Sequence, residues 1–442
     1  MATELPIAAI RAAFSEALAR GPVVVSSPTG SGKSTELPRW CPGRALVIEP
    51  RRVACRTLAA RVAELEGTAL GDGVGYVVRD DARVADATRI VFATPGIALR
   101  DAALVATAAT VVLDEFHERT LEVDLLLALL LKQRRPEQRL VVMSATLEGE
   151  RVARHVGGAH LTAEGRTFPV EVRYVEQGDA LPDPARVPDA VVRAVAAAAR
   201  DPGDVLVFLP GKVEIEACAR ALAAPGAAGS PIAIVPLHGG LGLDEQRRAF
   251  ERTDRRKVIL ATNVAETSLT IPGVGVVVDA GLVRQTRYHD GRASLVLAPI
   301  AEDAAAQRAG RAGRTAAGVC YRLWSANARL APVTLPEIHR ESLVPLVLSA
   351  AAWGARPEDL ALLDAPKPYA LEAARADLGA WGALDAGGAL TDAGRRLFAL
   401  PIDAGLARLL VEAGDGAVLG DAIDLVAALA AGRPVFLPGA AP

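Results

Sequence analysis

Residues 23–35 read Val-Val-Val-Ser-Ser-Pro-Thr-Gly-Ser-Gly-Lys-Ser-Thr. The β-branched run Val23–Val25 is expected to be a short buried strand. A Gly-rich turn follows, and Lys33-Ser34-Thr35 opens a helix. Glycines let backbone N–H groups converge on phosphate oxygens, and a helix N-terminus adds partial positive charge. Thr29, Gly30, Ser31, Gly32, Lys33, Ser34 and Thr35 are therefore the candidate phosphate-binding residues. Lys33 would reach the β- and γ-phosphates of a nucleotide, and the Ser34 hydroxyl would ligate Mg²⁺. Ser27 stands where the general motif has its first Gly, so the match is to Gly-Lys-Ser in a strand–loop–helix setting. Lysine is rare in this chain, five against 44 arginines, so a lysine at this position is informative.

About eighty residues on, Thr110-Val-Val-Leu113 reads as a second buried strand and runs into Asp114-Glu-Phe-His-Glu-Arg119. In open α/β sheets, ligands sit at strand ends of this kind. Asp114 is the candidate for the Mg²⁺ shell, together with Ser34. Glu115 is the candidate general base that would polarise an attacking water. The pair of motifs implies a nucleoside triphosphate, ATP in the cell, with Mg²⁺.

The chain has 442 residues, half of them apolar, with few aromatics and a net charge of −3. That length allows two to four domains. A slightly acidic balance excludes a global basic field, so any nucleic-acid contact must come from local arginine clusters. The four cysteines, Cys41, Cys55, Cys218 and Cys320, form no Cys-x-x-Cys pair, which argues against zinc and a disulfide framework. No secretory signal and no span of about twenty uncharged residues is evident, so a cytoplasmic protein away from membranes is expected.

From about residue 20 to 165, short apolar runs alternate with helical patterns: Val23–Val25, Ala45–Ile48, Arg89–Phe92, Val111–Leu113 and Leu140–Met143. A second alternation follows, at Val205–Leu209, Ile232–Pro236, Val258–Ala261, Val274–Asp279 and Val319–Leu323. Both predict α/β, doubly wound, mostly parallel sheets, with Gly165–Pro169 as linker. Only the first lobe carries a Gly-Lys-Ser loop, which puts the nucleotide between the lobes. After residue 326 the strand signal fades into helical patterns, with a turn at Asp385-Ala-Gly-Gly388.

Further segments follow strand ends: Glu49-Pro-Arg-Arg52, Ala93-Thr-Pro-Gly96, Ser144-Ala-Thr146, Ala261–Thr270 and Gln307-Arg-Ala-Gly-Arg-Ala-Gly-Arg314. In this order, with the phosphate loop and the Asp-Glu-Phe-His box, the set resembles superfamily 2 helicases of the DEAH/RHA group. Within it, the chain looks most like the bacterial HrpB-type ATP-dependent RNA helicases. The resemblance runs over essentially the whole chain.

The resemblance implies two RecA-like lobes, 1–165 and 166–325, a winged helix over 326–400 and the start of a helical ratchet domain over 401–442. It implies that His117, Ser144 and Thr146 couple nucleotide state to lobe movement, and that Gln307 orients the attacking water. Arg311 and Arg314 would be arginine fingers; Arg308 is equally readable as a structural ion pair. Arg51, Arg52, Arg79, Thr94, Thr262 and Asn263 match positions that contact the RNA backbone in the family. Residues 282–298 fall where the family has a strand-separating β-hairpin. The implied activity is NTP hydrolysis coupled to 3′→5′ movement on single-stranded RNA and duplex unwinding, by a monomer; no motif names a protein activator.

The chain departs from the family pattern in three places. Leu282 stands where relatives stack an aromatic on adenine, Pro272 stands where many have an acidic residue, and no upstream glutamine motif is present. Loose base selectivity is the expectation. The family's remaining helical bundle is not found, which leaves processive unwinding open. The alternatives are an ATP-gated RNA clamp without strand separation and a DNA helicase.

Overall fold

A computed structural model of the chain describes residues 5–430, apart from 29, 146–147, 166–167, 179, 225, 227–230, 267–270, 290–291, 415 and 417. The first lobe contains β1 (Val23–Ser26), β2 (Ala45–Ile48), β3 (Val74–Val78), β4 (Asp81–Arg83), β5 (Ile90–Ala93), β6 (Thr110–Leu113), β7 (Arg139–Ser144) and β8 (Ala159–Thr162). They form one sheet in the order β4-β3-β5-β2-β6-β7-β1-β8, parallel except for the β3–β4 pair. β1, β2, β5 and β6 are buried at every position. This is why they read as unbroken apolar runs: helices cover both faces of a parallel sheet. The order sets β7 between β1 and β6, so the loops leaving these three strands share one edge.

The second lobe begins with β9 (Val170–Glu176) and continues with β10 (Asp204–Phe208), β11 (Ile232–Leu237), β12 (Arg256–Ala261) and β13 (Val274–Asp279). A hairpin of β14 (Leu282–His289) and β15 (Arg292–Pro299) follows, then β16 (Gly318–Ser325). The lobe's sheet has the order β11-β12-β10-β13-β16-β9 and is parallel throughout. The hairpin lies where it was expected, pairing Leu282 with Pro299. Four strands escaped the sequence reading. β8 and β9 are part-exposed sheet edges, β4 has three residues, and β3 lies between a turn and β4.

Beyond residue 326 the chain is helical, with helices at Val344–Ala352, Pro368–Ala380, Asp392–Ala399, Ala404–Ala413 and Leu419–Ala430. The Asp385 turn is closed by an antiparallel bridge between Leu384 and Leu390. This region sits on lobe 1. Ala350, Ala355 and Leu360 join the apolar cluster under Leu125–Leu130. The Trp353 indole N–H donates to the Leu99 carbonyl at 2.7 Å, and the Gln133 amide donates to the Trp353 carbonyl at 3.1 Å. All four cysteines are buried free thiols, and burial pushes Cys41, Cys218 and Cys320 up to about 12. Such thiols are inert. No described helix is long and apolar enough to cross a membrane.

Candidate nucleotide-hydrolysis site between the lobes

The loop after β1 turns on Gly30 and Gly32, at φ 89° and 95°, a left-handed backbone that glycine adopts without strain. A Cβ on Gly32 would also come within 2.8 Å of Leu5 Cδ1. The segment before the first helix therefore packs on the loop, and the Ile7 N–H donates to the Ser31 carbonyl at 3.2 Å. Sequence reading missed this support. Ser31 is buried and shares a 2.8 Å hydrogen bond with Ser27, and the Thr35 hydroxyl closes onto the Gly32 carbonyl at 3.0 Å. Ser27, the departure from the general motif, thus stiffens the loop from inside. Lys33 opens the helix Lys33–Trp40. Thr29 and Thr146 lie outside the described residues.

Lys33 Nζ is 3.1 Å from Glu115 Oε1, and both side chains are buried. Asp114 is fully buried; its Oδ1 accepts the Glu115 N–H at 2.8 Å, and the Ser34 hydroxyl bonds to the carboxylate. Among the described residues its Oδ2 has no hydrogen-bond partner. Burial pushes the Asp114 carboxyl up, and the neighbouring Glu115 charge adds to that. Burial acts the same way on Glu115, but the charges around it, the Lys33 ammonium first, outweigh it and hold that carboxyl down. The two adjacent acids are thereby split, one poised to take up a cation, one held ionised. No group of three or more His, Cys, Asp or Glu among the described residues could hold a metal by itself. Mg²⁺ uses one or two protein oxygens plus phosphates and water. Asp114, with its orphan buried oxygen, and Ser34 fit it.

His117 Nδ1 accepts the Ala145 N–H at 3.4 Å, so it touches the loop after β7 directly, and it lies 3.3 Å from Glu115 Oε2. Burial lowers its basicity, and a neutral ring that accepts at Nδ1 is the form that fits the Ala145 bond. Ser144 is buried, and its carbonyl accepts the Ser27 N–H at 3.1 Å. The phosphate loop, the acidic box and the loop after β7 are thus one bonded unit.

Lobe 2 supplies the opposite wall. Arg311 and Arg314 face Glu115 closely enough for its charge to act on both. Burial lowers both, Arg314 to about 10, and the two repel in Arg311's case. Both stay protonated at neutral pH, as guanidinium does. Two buried cations beside each other gain from an anion between the lobes. Arg311 also donates to the Glu266 carbonyl. Arg308 resolves to a structural ion pair: it is buried, donates to Glu266 Oε2 at 3.0 Å and Asp279 Oδ1 at 2.9 Å, and stacks on Phe208 at 5.0 Å. Gln307 lines a cavity of about 1010 Å³ together with His117, Glu266 and the base of the hairpin.

The proposed RNA positions divide into two groups. Arg52, Arg79 and Thr94 line a lobe 1 cavity of about 420 Å³, closed by residues 397–404, and Arg79 donates to the Pro401 carbonyl. Arg51 pairs with Glu118 at 3.0 Å and donates to the Asn263 carbonyl across the cleft at 2.7 Å. Thr262 and Asn263 stand at the end of β12. Glu266, quoted within Ala261–Thr270 but given no role, takes Arg308 on its carboxylate and Arg311 on its backbone carbonyl.

Residues 9–155 match the DEAD/DEAH box helicase domain, and residues 187–316 match the helicase conserved C-terminal domain. With two parallel-sheet lobes and these two domain matches, the chain belongs to the DEAD/DEAH-box helicases, of the DEAH/RHA type. It is similar to the ATP-dependent RNA helicase HrpB of Escherichia coli, 39% identical over 93% of this chain and 53% of that protein. It is also 37% identical to the human probable ATP-dependent RNA helicase DHX35, over 89% of this chain and 61% of that protein. The crystal structure of Escherichia coli DEAH/RHA helicase HrpB superposes with a TM-score of 0.88 at 38% identity, covering 98% of this chain and 57% of that one. The chain thus spans about half to three-fifths of the length of these relatives.

Proposed function

We propose that this chain hydrolyses ATP, or another NTP, between its two lobes and couples that to 3′→5′ movement along single-stranded RNA. The observation that carries this is the two-sided site: Glu115 beside Lys33 on lobe 1, with Arg311 and Arg314 of lobe 2 facing the same carboxylate. Neither lobe alone holds both a base and the cations that neutralise a transferring phosphoryl group.

In this reading Lys33 leaves Glu115 for the β- and γ-phosphates, and Glu115, held ionised, takes the proton of the attacking water, which Gln307 helps to orient. Arg311 and Arg314 supply positive charge where it develops. Mg²⁺ held by Ser34 and Asp114 would supply charge neutralisation at the phosphates. His117, through Ala145, reports the state of the site to the loop carrying Ser144 and Thr146. Arg51, Arg52, Arg79, Thr94, Thr262 and Asn263 hold the RNA backbone, which implies little sequence preference. The β14–β15 hairpin splits the duplex, residues 326–400 act as a winged helix, and residues from 401 begin a helical ratchet. The working form is a monomer in the cytoplasm. Leu282 is buried, and its carbonyl accepts from Arg308, so it offers no face to a base, which supports loose base selectivity.

The test is phosphate release with and without single-stranded RNA, beside Glu115→Gln. RNA-stimulated turnover that disappears in the variant is the expected result. Equal turnover in the variant would remove Glu115 from the role of base. Equal stimulation by single-stranded DNA would replace RNA with nucleic acid in general.

A further inference from the structure

The turn Phe116–Glu118 after β6 is bracketed by two non-glycine residues in left-handed backbone, Glu115 at φ 48° and Arg119 at φ 47°. Such residues persist only where the surroundings over-determine them. At the first, the surroundings are Lys33 and Asp114, inside lobe 1. At the second, they include residues from more than two hundred positions later. Arg119 is buried and stacks on Phe116 at 5.6 Å. Its guanidinium makes a fork with Asp124, Nε to Oδ1 at 2.8 Å and Nη2 to Oδ2 at 3.0 Å. Nη2 also donates to Asp364 Oδ2 at 2.5 Å. Its backbone carbonyl accepts the Glu337 N–H at 3.0 Å, and the Glu337 carboxylate takes the Leu121 N–H at 2.9 Å. Both Asp364 and Glu337 belong to the C-terminal region.

We propose that Asp364 and Glu337 are positioning residues for the Glu115 carboxylate, acting through Arg119. The inference rests on Glu115 being the base. The Asp124 fork orients the guanidinium, but Asp124 lies on the helix Leu121–Gln133 that the turn itself leads into. It moves with that turn and cannot hold it from outside. Asp364 and Glu337 are outside it. They fix Arg119 by side chain and backbone together, and three residues of a tight turn separate Arg119 from Glu115. A shift of Arg119 therefore changes where Glu115 points, while Lys33 and the glycines of the phosphate loop stay seated on β1. The consequence is asymmetric: turnover depends on how the C-terminal region is seated, and nucleotide affinity does not.

The experiment is steady-state ATP hydrolysis by the full chain, with kcat expressed per nucleotide-binding site so that unfolded protein does not count as lost rate. Asp364→Asn keeps the shape and loses the charge. It is expected to lower kcat about tenfold or more, in keeping with the sensitivity of reacting groups to misplacement of an ångström, with KM for ATP unchanged and partial recovery in Asp364→Glu. Arg151→Ala removes the other partner of Asp364, 2.6 Å away and part-exposed, and leaves the Arg119 hydrogen bonds to Asp124 and Asp364 in place. It is expected to keep wild-type kcat. A uniform fall in both variants, or a rise in KM matching the loss of kcat, would mean that Asp364 is only structural and would overturn the proposal. So would wild-type kcat in Asp364→Asn beside an inactive Glu115→Gln. An active Glu115→Gln would instead bring down the assignment of the base.

Discussion

Lobe 1 has two neighbours, and it meets them in different ways. Toward the C-terminal region, Ala350, Ala355 and Leu360 enter its apolar core, and Trp353, Arg151, His155 and Arg119 bond across the seam. Toward lobe 2, one apolar cluster takes in residues of both lobes, among them Val141 and Met143 of lobe 1 and Leu206 and Ile259 of lobe 2, and at the cleft the contacts are polar and come from loops: Arg51 reaches the Asn263 carbonyl, and the Glu115 charge acts on Arg311 and Arg314. Buried apolar surface resists separation in proportion to its area. Buried cations such as Arg311 and Arg314 instead favour a closed cleft when an anion lies beside them. The C-terminal seam thus rests on packing and bonds already made, and the cleft seam is the one whose balance of charge a bound anion would change.

The strongest way to break this comparison is at the cleft. Arg311→Ala should cost about 10³-fold or more in ATP turnover, the scale of an arginine finger. It should leave the melting temperature unchanged or raised, because a buried cation is removed. A large drop in melting temperature would show that Arg311 holds the lobes together instead. Next comes the C-terminal seam. Leu360→Ala should destabilise by roughly 2–3 kcal/mol, the cost of truncating a buried leucine. In calorimetry the loss should fall on the transition that contains lobe 1; a loss confined to a separate C-terminal transition would show that the packing at this seam does not tie the two regions together.

Smaller effects sharpen the picture. Arg51→Ala removes the bond of this arginine to the Asn263 carbonyl across the cleft together with a part-exposed ion pair to Glu118. A stability change under about 1 kcal/mol is expected, with a wider lobe separation in small-angle scattering. An unchanged separation would mean that this bond does not set the cleft. The smallest effect concerns Glu341, which faces Arg340 and Thr286 of the hairpin. Burial raises its carboxyl from 4.5 to about 7, with Arg340 opposing and Glu337 reinforcing. A raised folded-state value means that the stability it contributes is full below 4.5 and is lost as pH rises toward 7. Wild type should therefore lose stability relative to Glu341→Gln between pH 5 and 7. Parallel pH profiles would show that the carboxyl is hydrated.

How far the sequence could be read follows from what was local. The phosphate loop and the acidic pair are contiguous segments after buried strands, so residue type and order were enough to mark them. β8 and β9 were missed because a part-exposed sheet edge such as Val-Glu-Val-Arg-Tyr-Val-Glu carries no apolar run. Arg119 and Glu266 stood inside quoted motifs, yet their roles were invisible. Arg119 bonds Asp364, 245 positions away, and Glu266 bonds Arg308, 42 positions away. Arg308 was readable in two ways until Asp279 was found beside it.

By itself, the sequence determined the class of fold and marked the side chains proposed for the nucleotide chemistry. Those depend on short-range pattern: strand runs, glycines at a turn, a lysine at a helix start. Only the tertiary structure decided which carboxylate is held ionised, which arginine is structural and where the C-terminal region docks on lobe 1. Those depend on burial and on distances between residues far apart in the chain, and electrostatics in a low-dielectric interior responds to distance and solvent exclusion, not to order along the chain.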